Sequence, residues 1–166
     1  REAQAFDEKK VEAHHAHHVG CPGSKIMDFR KKQAGPNSKA SIAVNSELQQ
    51  WPVQIMLIPP HAPYLNNADL LVAADCVPFA YANFHQDLLK GKIVLVGCPK
   101  LDDPDAYREK FARILGLNQI KSITYAHMEV PCCSGLIGII KEAISGSGKD
   151  VEFKEAVISI QGERLK

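Results

Sequence analysis

Five cysteines are the residues of this chain whose chemistry and spacing are most informative. Most of them lie just beyond an apolar, strand-like run: Cys76 follows residues 70–75, Cys98 follows 93–97, and the pair Cys132-Cys133 follows 123–130. In an open parallel sheet, ligands bind in the crevice outside the carboxyl ends of the strands. The spacing therefore predicts that thiols from separate parts of the chain meet at one edge of a sheet.

Proline follows several of these cysteines, directly in Cys21-Pro22 and Cys98-Pro99, and one residue later in Cys76-Val77-Pro78. Proline fixes the backbone and removes a competing N–H group, and a Cys-Pro pair also occurs in the cluster-binding runs of ferredoxins. Thiolates are soft ligands, which favours zinc or an iron–sulfur cluster over hard cations. The spacing alone leaves both of these open.

The segment Cys132-Cys133-Ser134-Gly135 is predicted to begin a helix. Free N–H groups and the positive end of the helix dipole would stabilise thiolates or an anionic cluster there, and would lower the thiol pKa. Gly97 and Gly135 have no side chain, so we expect them to let the backbone approach a bulky inorganic group.

Histidines offer further candidates. His61 follows Pro59-Pro60 and is either a ligand or proton donor in the same crevice or a solvent-facing loop residue. His127 falls inside a strand, which favours a hydrogen-bonded core histidine, and His85 fits a helix surface. The cluster from His14 to His18 is expected to be a solvated tract.

Beyond Trp51, apolar periodicity predicts an alternation of strands and helices. The strand candidates are continuous apolar runs of the kind that parallel sheets bury on both faces, at residues 53–58, 70–75, 93–97, 120–130 and 155–160. Apolar residues at helical spacing lie between the later strands: Tyr81, Phe84 and Leu88, then Tyr107, Phe111, Ile114 and Leu115 after Asp103-Pro104, then Leu136, Ile139, Ile140, Ala143 and Ile144. This order predicts an α/β fold: a Rossmann-like, doubly wound, mostly parallel five-stranded sheet with cysteines at the strand C-terminal ends.

Length and composition limit the organisation of the chain. With 166 residues, of which 45% are hydrophobic, it suits one globular domain. We divide it into a histidine-rich leader or linker, residues 1–20, and an α/β cluster-binding domain, residues 21–166. The chain opens at Arg1 without a methionine, so we also expect a fragment of a longer protein.

Charge, hydropathy and cysteine usage limit the partners and the compartment. A formal net charge of +1 argues against nucleic acid or an acidic membrane as the partner. The longest apolar run, residues 53–60, is far shorter than the roughly 20 residues that span a bilayer. An odd number of cysteines without a secretory signal indicates a reducing compartment, so we expect a cytoplasmic protein.

Two common motifs are missing. Residues 59–63 follow the first predicted strand without the G-x-G-x-x-G pattern that binds dinucleotide phosphates, which disfavours a nucleotide cofactor. The chain also lacks the G-x-S-x-G pattern of a serine nucleophile elbow.

Five segments of the chain resemble the C-terminal domain of ferredoxin-like (4Fe–4S) iron–sulfur proteins of anaerobic bacteria and archaea. They are residues 21–27, 51–54, 74–80, 96–102 and 127–133, and the likeness runs from Cys21 to about Ile160. In that family a two-cluster ferredoxin domain usually comes first, followed by a linker often rich in histidine, which residues 1–20 resemble. The ferredoxin cysteines themselves are absent here. The resemblance implies an iron–sulfur protein of anaerobic metabolism.

One function is favoured over two alternatives. The leading prediction is a redox or electron-transfer domain with an iron–sulfur cluster, most simply [4Fe–4S], held by Cys21, Cys76, Cys98 and one of Cys132 or Cys133. It would exchange electrons with a ferredoxin-type domain or another redox protein, and an open iron site would make it a redox enzyme. The first alternative is a structural or metal-handling zinc site. The second is a thiol enzyme, with Cys132 or Cys133 as nucleophile and His61 as base.

Overall fold

A computed structural model describes residues 26–28 and 45–166. The leader 1–20 and the predicted ligand Cys21 lie outside these residues. The strands are β1 (Met27–Asp28), β2 (Gln50–Trp51), β3 (Asp69–Ala74), β4 (Ile93–Gly97), β5 (Ser122–Met128) and β6 (Glu152–Ile158). The α-helices are α1 (Val77–Ala80), α2 (Pro104–Leu117) and α3 (Gly135–Ser147). The described residues also form three 3-10 turns (Ile55–Leu57, Pro63–Leu65, Pro131–Cys133) and a π-helical turn (Phe84–Leu89).

The predicted fold class is confirmed, because the main sheet is parallel and has helices on both faces. Its strand order is β4-β3-β5-β6, and every neighbouring pair is parallel. From β3 the chain first moves to β4 on one side, and then returns through α2 to β5 on the other side. This reversal puts a topological switch point between the carboxyl ends of β3 and β5, where α/β sheets bind their ligands.

The predicted first strand, residues 53–58, contributes a single bridge at the edge of this sheet. The Val96 N–H donates to the Val53 carbonyl at 2.8 Å, and Gln54 pairs with Val96 in parallel. The chain then turns into the 3-10 turn Ile55–Leu57, whose start the Gln54 side chain caps by accepting the Met56 N–H at 3.2 Å. Prolines at both ends of the run restrict pairing, and the turn still buries its isoleucines fully.

The two faces of the sheet have separate cores. One face packs against α2 and α3, which also contact each other, through a cluster that includes Leu70, Val72, Leu95, Ile123, Tyr125, Tyr107, Phe111, Ile114, Leu136 and Ile140. The other face packs against α1 and the π-helical turn through Leu71, Ala73, Val94, Ala126, Ala156, Val77, Phe84 and Leu88. From Leu70 to Ala73, successive residues of β3 alternate between the two clusters, as expected for side chains of a strand.

Local signals explain where α2 begins. The Asp103 carboxylate accepts the Asp105 N–H at 2.9 Å and caps the helix, with Pro104 at its first position. The predicted apolar stripe of α2 is fully buried. The predicted stripe of α3 is buried as well, except for the half-buried Ile144, and this helix ends at Gly148 with a φ of 64°.

Within the described part of the chain, no helix is both long and apolar enough to cross a membrane.

Candidate metal centre

Strand register brings the cysteine-bearing loops to one edge of the sheet. Ala74 of β3 lies opposite Gly97 of β4, and Ala73 lies opposite Ala126 of β5. Cys98 comes directly after Gly97, and Cys76 comes two residues after Ala74. Neighbouring strands are about 4.8 Å apart. The loops after β3, β4 and β5 therefore leave the sheet side by side.

The thiols of Cys98, Cys132 and Cys133 share one electrostatic environment. Burial raises the pKa of the Cys133 thiol, a hydrogen bond with the Met128 backbone acts in the opposite direction, and Cys132 and then Cys98 raise the pKa further. Burial also raises the pKa of Tyr125, and the charges of the same three cysteines add to this. Three of the five predicted site residues thus lie along this edge of the sheet and influence the same ionisable groups.

The predicted lowering of the thiol pKa at the start of α3 is wrong for Cys133. Both cysteines lie in the 3-10 turn Pro131–Cys133 just before α3, as predicted, but Cys133 is buried and its pKa is raised. Removing a thiol from water disfavours its thiolate more than the helix end favours it. Cys132 in the same turn is exposed.

Cys76 stands apart from this group. Cys76 is exposed at the start of α1, where its carbonyl accepts the N–H groups of Phe79 at 3.3 Å and Ala80 at 3.0 Å. Its thiol is not among the described charges that shift the pKa of Tyr125 or Cys133. Cys21 lies outside the described residues.

The donor set is sulfur, and its four described members are all free thiols. Across residues 26–28 and 45–166, no group of three or more His, Cys, Asp or Glu side chains is arranged to hold a metal ion. The chemistry of the donors fits a soft metal or an iron–sulfur cluster. The complete ligand set, including Cys76 and Cys21, stays a prediction.

The Tyr125 hydroxyl ties the strand to the cysteine turn. From the buried middle of β5, it donates to the Cys133 carbonyl at 2.9 Å. Ser134 closes the same turn by donating its hydroxyl to the Pro131 carbonyl at 2.7 Å. These bonds hold the backbone of the Cys132-Cys133 pair on the sheet edge.

Asp102 organises the loop that follows β4, which the sequence did not indicate. The Cys98 N–H donates to Asp102 Oδ2 at 3.1 Å, and the Tyr107 hydroxyl donates to the same oxygen. The cap of α2 is the neighbouring Asp103, whose carboxylate accepts the Asp105 N–H. The spacing of Asp102 four residues after Cys98 is the one signal that could have pointed to it.

Gly97 is needed for close packing inside the domain. A Cβ atom at this position would lie 2.9 Å from Ile55 Cδ1 and closer still to the Tyr107 hydroxyl. The expected approach of this backbone to an inorganic group stays a prediction. A Cβ at Gly135 would meet nothing within 4 Å.

The histidines behave as core and surface residues. His127 is buried, stacks on Tyr125 with ring centroids 4.9 Å apart, and has Nδ1 2.9 Å from the Met128 carbonyl oxygen. Its Nε2 has no hydrogen-bond partner among the described residues. His61 is exposed in its turn, and His85 Nδ1 accepts the Glu47 N–H at 3.1 Å.

Comparison with known proteins agrees with this architecture. A family model described as a Rossmann-like domain matches residues 62–166. An uncharacterized protein of Archaeoglobus fulgidus is 34% identical over 116 residues, which cover 70% of this chain and 81% of that protein. No solved structure matches the chain. Since the matched region contains all four strands of the parallel sheet, the chain belongs to the Rossmann-like domain family.

Proposed function

We propose that this protein is an iron–sulfur redox domain whose cluster is held by cysteines at the carboxyl edge of the sheet. The observation that carries the proposal is the shared environment of the Cys98, Cys132 and Cys133 thiols beside the switch point. A bound cluster would supply one-electron transfer there. The protein's own part is to hold sulfur ligands on rigid strand ends and to shield them from water.

The direction of β1 supports Cys21 as a further ligand. Residues 50–54 run parallel to β4, and β1 pairs antiparallel with β2. Ile26, the residue just before β1, therefore lies toward the carboxyl edge of the sheet, where the cysteines are. Cys21 is five residues earlier, and five residues span at most about 18 Å.

The properties of the thiols favour this function over a thiol enzyme. A nucleophilic cysteine needs a lowered pKa and a base within reach, yet the pKa of Cys133 is raised by burial. The proposed base His61 is exposed in the turn after Pro60. Free thiols suit the reducing cytoplasm that we propose as the location, with a ferredoxin-type domain or another redox protein as electron partner.

The test is anaerobic purification followed by iron and sulfide analysis, visible absorption and electron paramagnetic resonance. We expect a brown protein, and we expect Cys98→Ser and the double variant Cys132→Ser/Cys133→Ser to lose iron. Ser134→Ala is the matched control, because it changes the same turn without removing a thiol. A colourless protein that contains zinc, or serine variants with unchanged iron, would contradict the proposal.

A further inference from the structure

The loop after β4 is closed around Cys98 by a charged side chain. The carboxylate of Asp102 accepts the Cys98 N–H at 3.1 Å, and the Asp102 N–H donates back to the Cys98 carbonyl at 2.9 Å. The Tyr107 hydroxyl from α2 donates to the same carboxylate oxygen. Asp102 therefore binds both backbone polar groups of Cys98, the N–H and the carbonyl.

A second carboxylate lies at the end of the neighbouring strand. Asp75 follows β3, and its N–H donates to the Gly97 carbonyl at 3.2 Å. Among the described residues, neither carboxylate forms an ion pair.

We propose that Asp102 is a positioning residue that fixes Cys98 for the cluster and lowers the reduction potential of the centre. This inference rests on the proposed function. Reduction adds an electron to the cluster, and a fixed negative charge close by disfavours the added charge because solvent screens it only partly. Hydrogen bonds to cluster sulfur also tune the potential. The Cys98 N–H is already used by Asp102, so it is not available for such a bond.

The negative charge of Asp102 and the engagement of the Cys98 N–H both act to lower the reduction potential of the centre. Asp102 is half-buried, whereas Asp103 next to it is exposed at the start of α2. Solvent screens the exposed charge far more strongly. The pair therefore provides an internal comparison in which the same charge is removed at adjacent positions.

The experiment compares Asp102→Asn with Asp103→Asn in the full chain with its cluster, by potentiometric titration monitored by electron paramagnetic resonance. Asparagine caps a helix about as well as aspartate, so the second variant keeps α2 intact. We expect a more positive midpoint potential for Asp102→Asn, together with shifted g values, and values close to wild type for Asp103→Asn. Equal potentials in the two variants would overturn the inference.

If the Asp102→Asn variant assembles no cluster, the reduction potential of the Tyr107→Phe variant tests the inference instead. This variant keeps the charge of Asp102 and removes the hydroxyl that partly neutralises it, so the potential should become more negative. An unchanged potential in Tyr107→Phe would overturn the inference and leave the proposed function standing. A wild-type protein without iron would contradict the proposed function, and this inference with it.

Discussion

Replacing Gly97 with alanine should destabilise the protein strongly, although it adds only one methyl group. The new Cβ would lie 2.9 Å from Ile55 Cδ1 and closer still to the Tyr107 hydroxyl. Overpacking of this kind costs about 1–3 kcal/mol. Moving the Tyr107 ring would also break its hydrogen bond to Asp102, and an unsatisfied buried polar group costs about 1–3 kcal/mol more. We therefore expect the free energy of unfolding to fall by about 2–6 kcal/mol.

Urea unfolding of the anaerobically purified protein measures this loss. Gly138→Ala is the matched control, because Gly138 is an exposed residue of α3 where a Cβ would meet nothing within 4 Å. Alanine should stabilise that helix by about 0.5–1 kcal/mol. If Gly97→Ala unfolded at the same urea concentration as wild type, the close packing of β4 on α2 would be refuted.

Three further predictions test other parts of the structure. Burial and then the Asp28 carboxylate raise the pKa of Tyr64 to about 12. An unfolded tyrosine ionises near pH 10 while the folded one keeps its proton, so stability should fall as the pH rises above about 10, by about 2.7 kcal/mol in total once the pH is above 12. The Tyr64 hydroxyl has no hydrogen-bond partner among the described residues; Tyr64→Phe should make the slope shallower without loss at pH 7, and an unchanged slope would exclude Tyr64 as a contributor. In metal-free protein at pH 7, iodoacetamide should modify the exposed Cys132 before Cys133, whose pKa is raised by burial; peptide mass spectrometry would show the order, and faster labelling of Cys133 would contradict it. The Lys149 ammonium donates to the carbonyls of Leu115, Gly116 and Asn118 at 2.6–3.2 Å at the end of α2. Lys149→Met should therefore cost about 1–2 kcal/mol, and a thermal midpoint equal to wild type would argue against these bonds.

Much of the fold could be predicted because parallel strands bury both faces. The runs that became β3, β4 and β5 are largely apolar, so the apolar pattern predicts their positions closely. β6 was predicted at residues 155–160 and lies at Glu152–Ile158. It is the edge strand, and its first residues alternate between charged exposed and half-buried positions, which lowers the apolar signal there.

The first predicted strand shows why an apolar run alone is ambiguous. Ile55 and Ile58 are fully buried although this segment forms a 3-10 turn. A strand would bury them equally well, so the apolar pattern does not distinguish the two structures. The flanking prolines limit the backbone donors that are available for strand pairing, so the apolar pattern alone overstates the length of this strand.

The candidate site could be predicted only in part, for a physical reason. The apolar runs of the sequence locate the strand ends, and the cysteines that follow these ends can therefore be placed at one edge of the sheet. The role of Asp102 depends on Tyr107 from another element, and the pKa of Cys133 depends on burial by neighbours distant in sequence. Such tertiary relations leave no local periodicity that a sequence pattern could reveal.

X-ray absorption spectroscopy of the anaerobically purified protein tests the central claim most directly. We predict an iron edge with a sulfur coordination shell and an iron–iron contribution, and loss of both in the Cys98→Ser variant. An edge from zinc, or iron coordinated only by nitrogen and oxygen, would contradict an iron–sulfur cluster held by these cysteines.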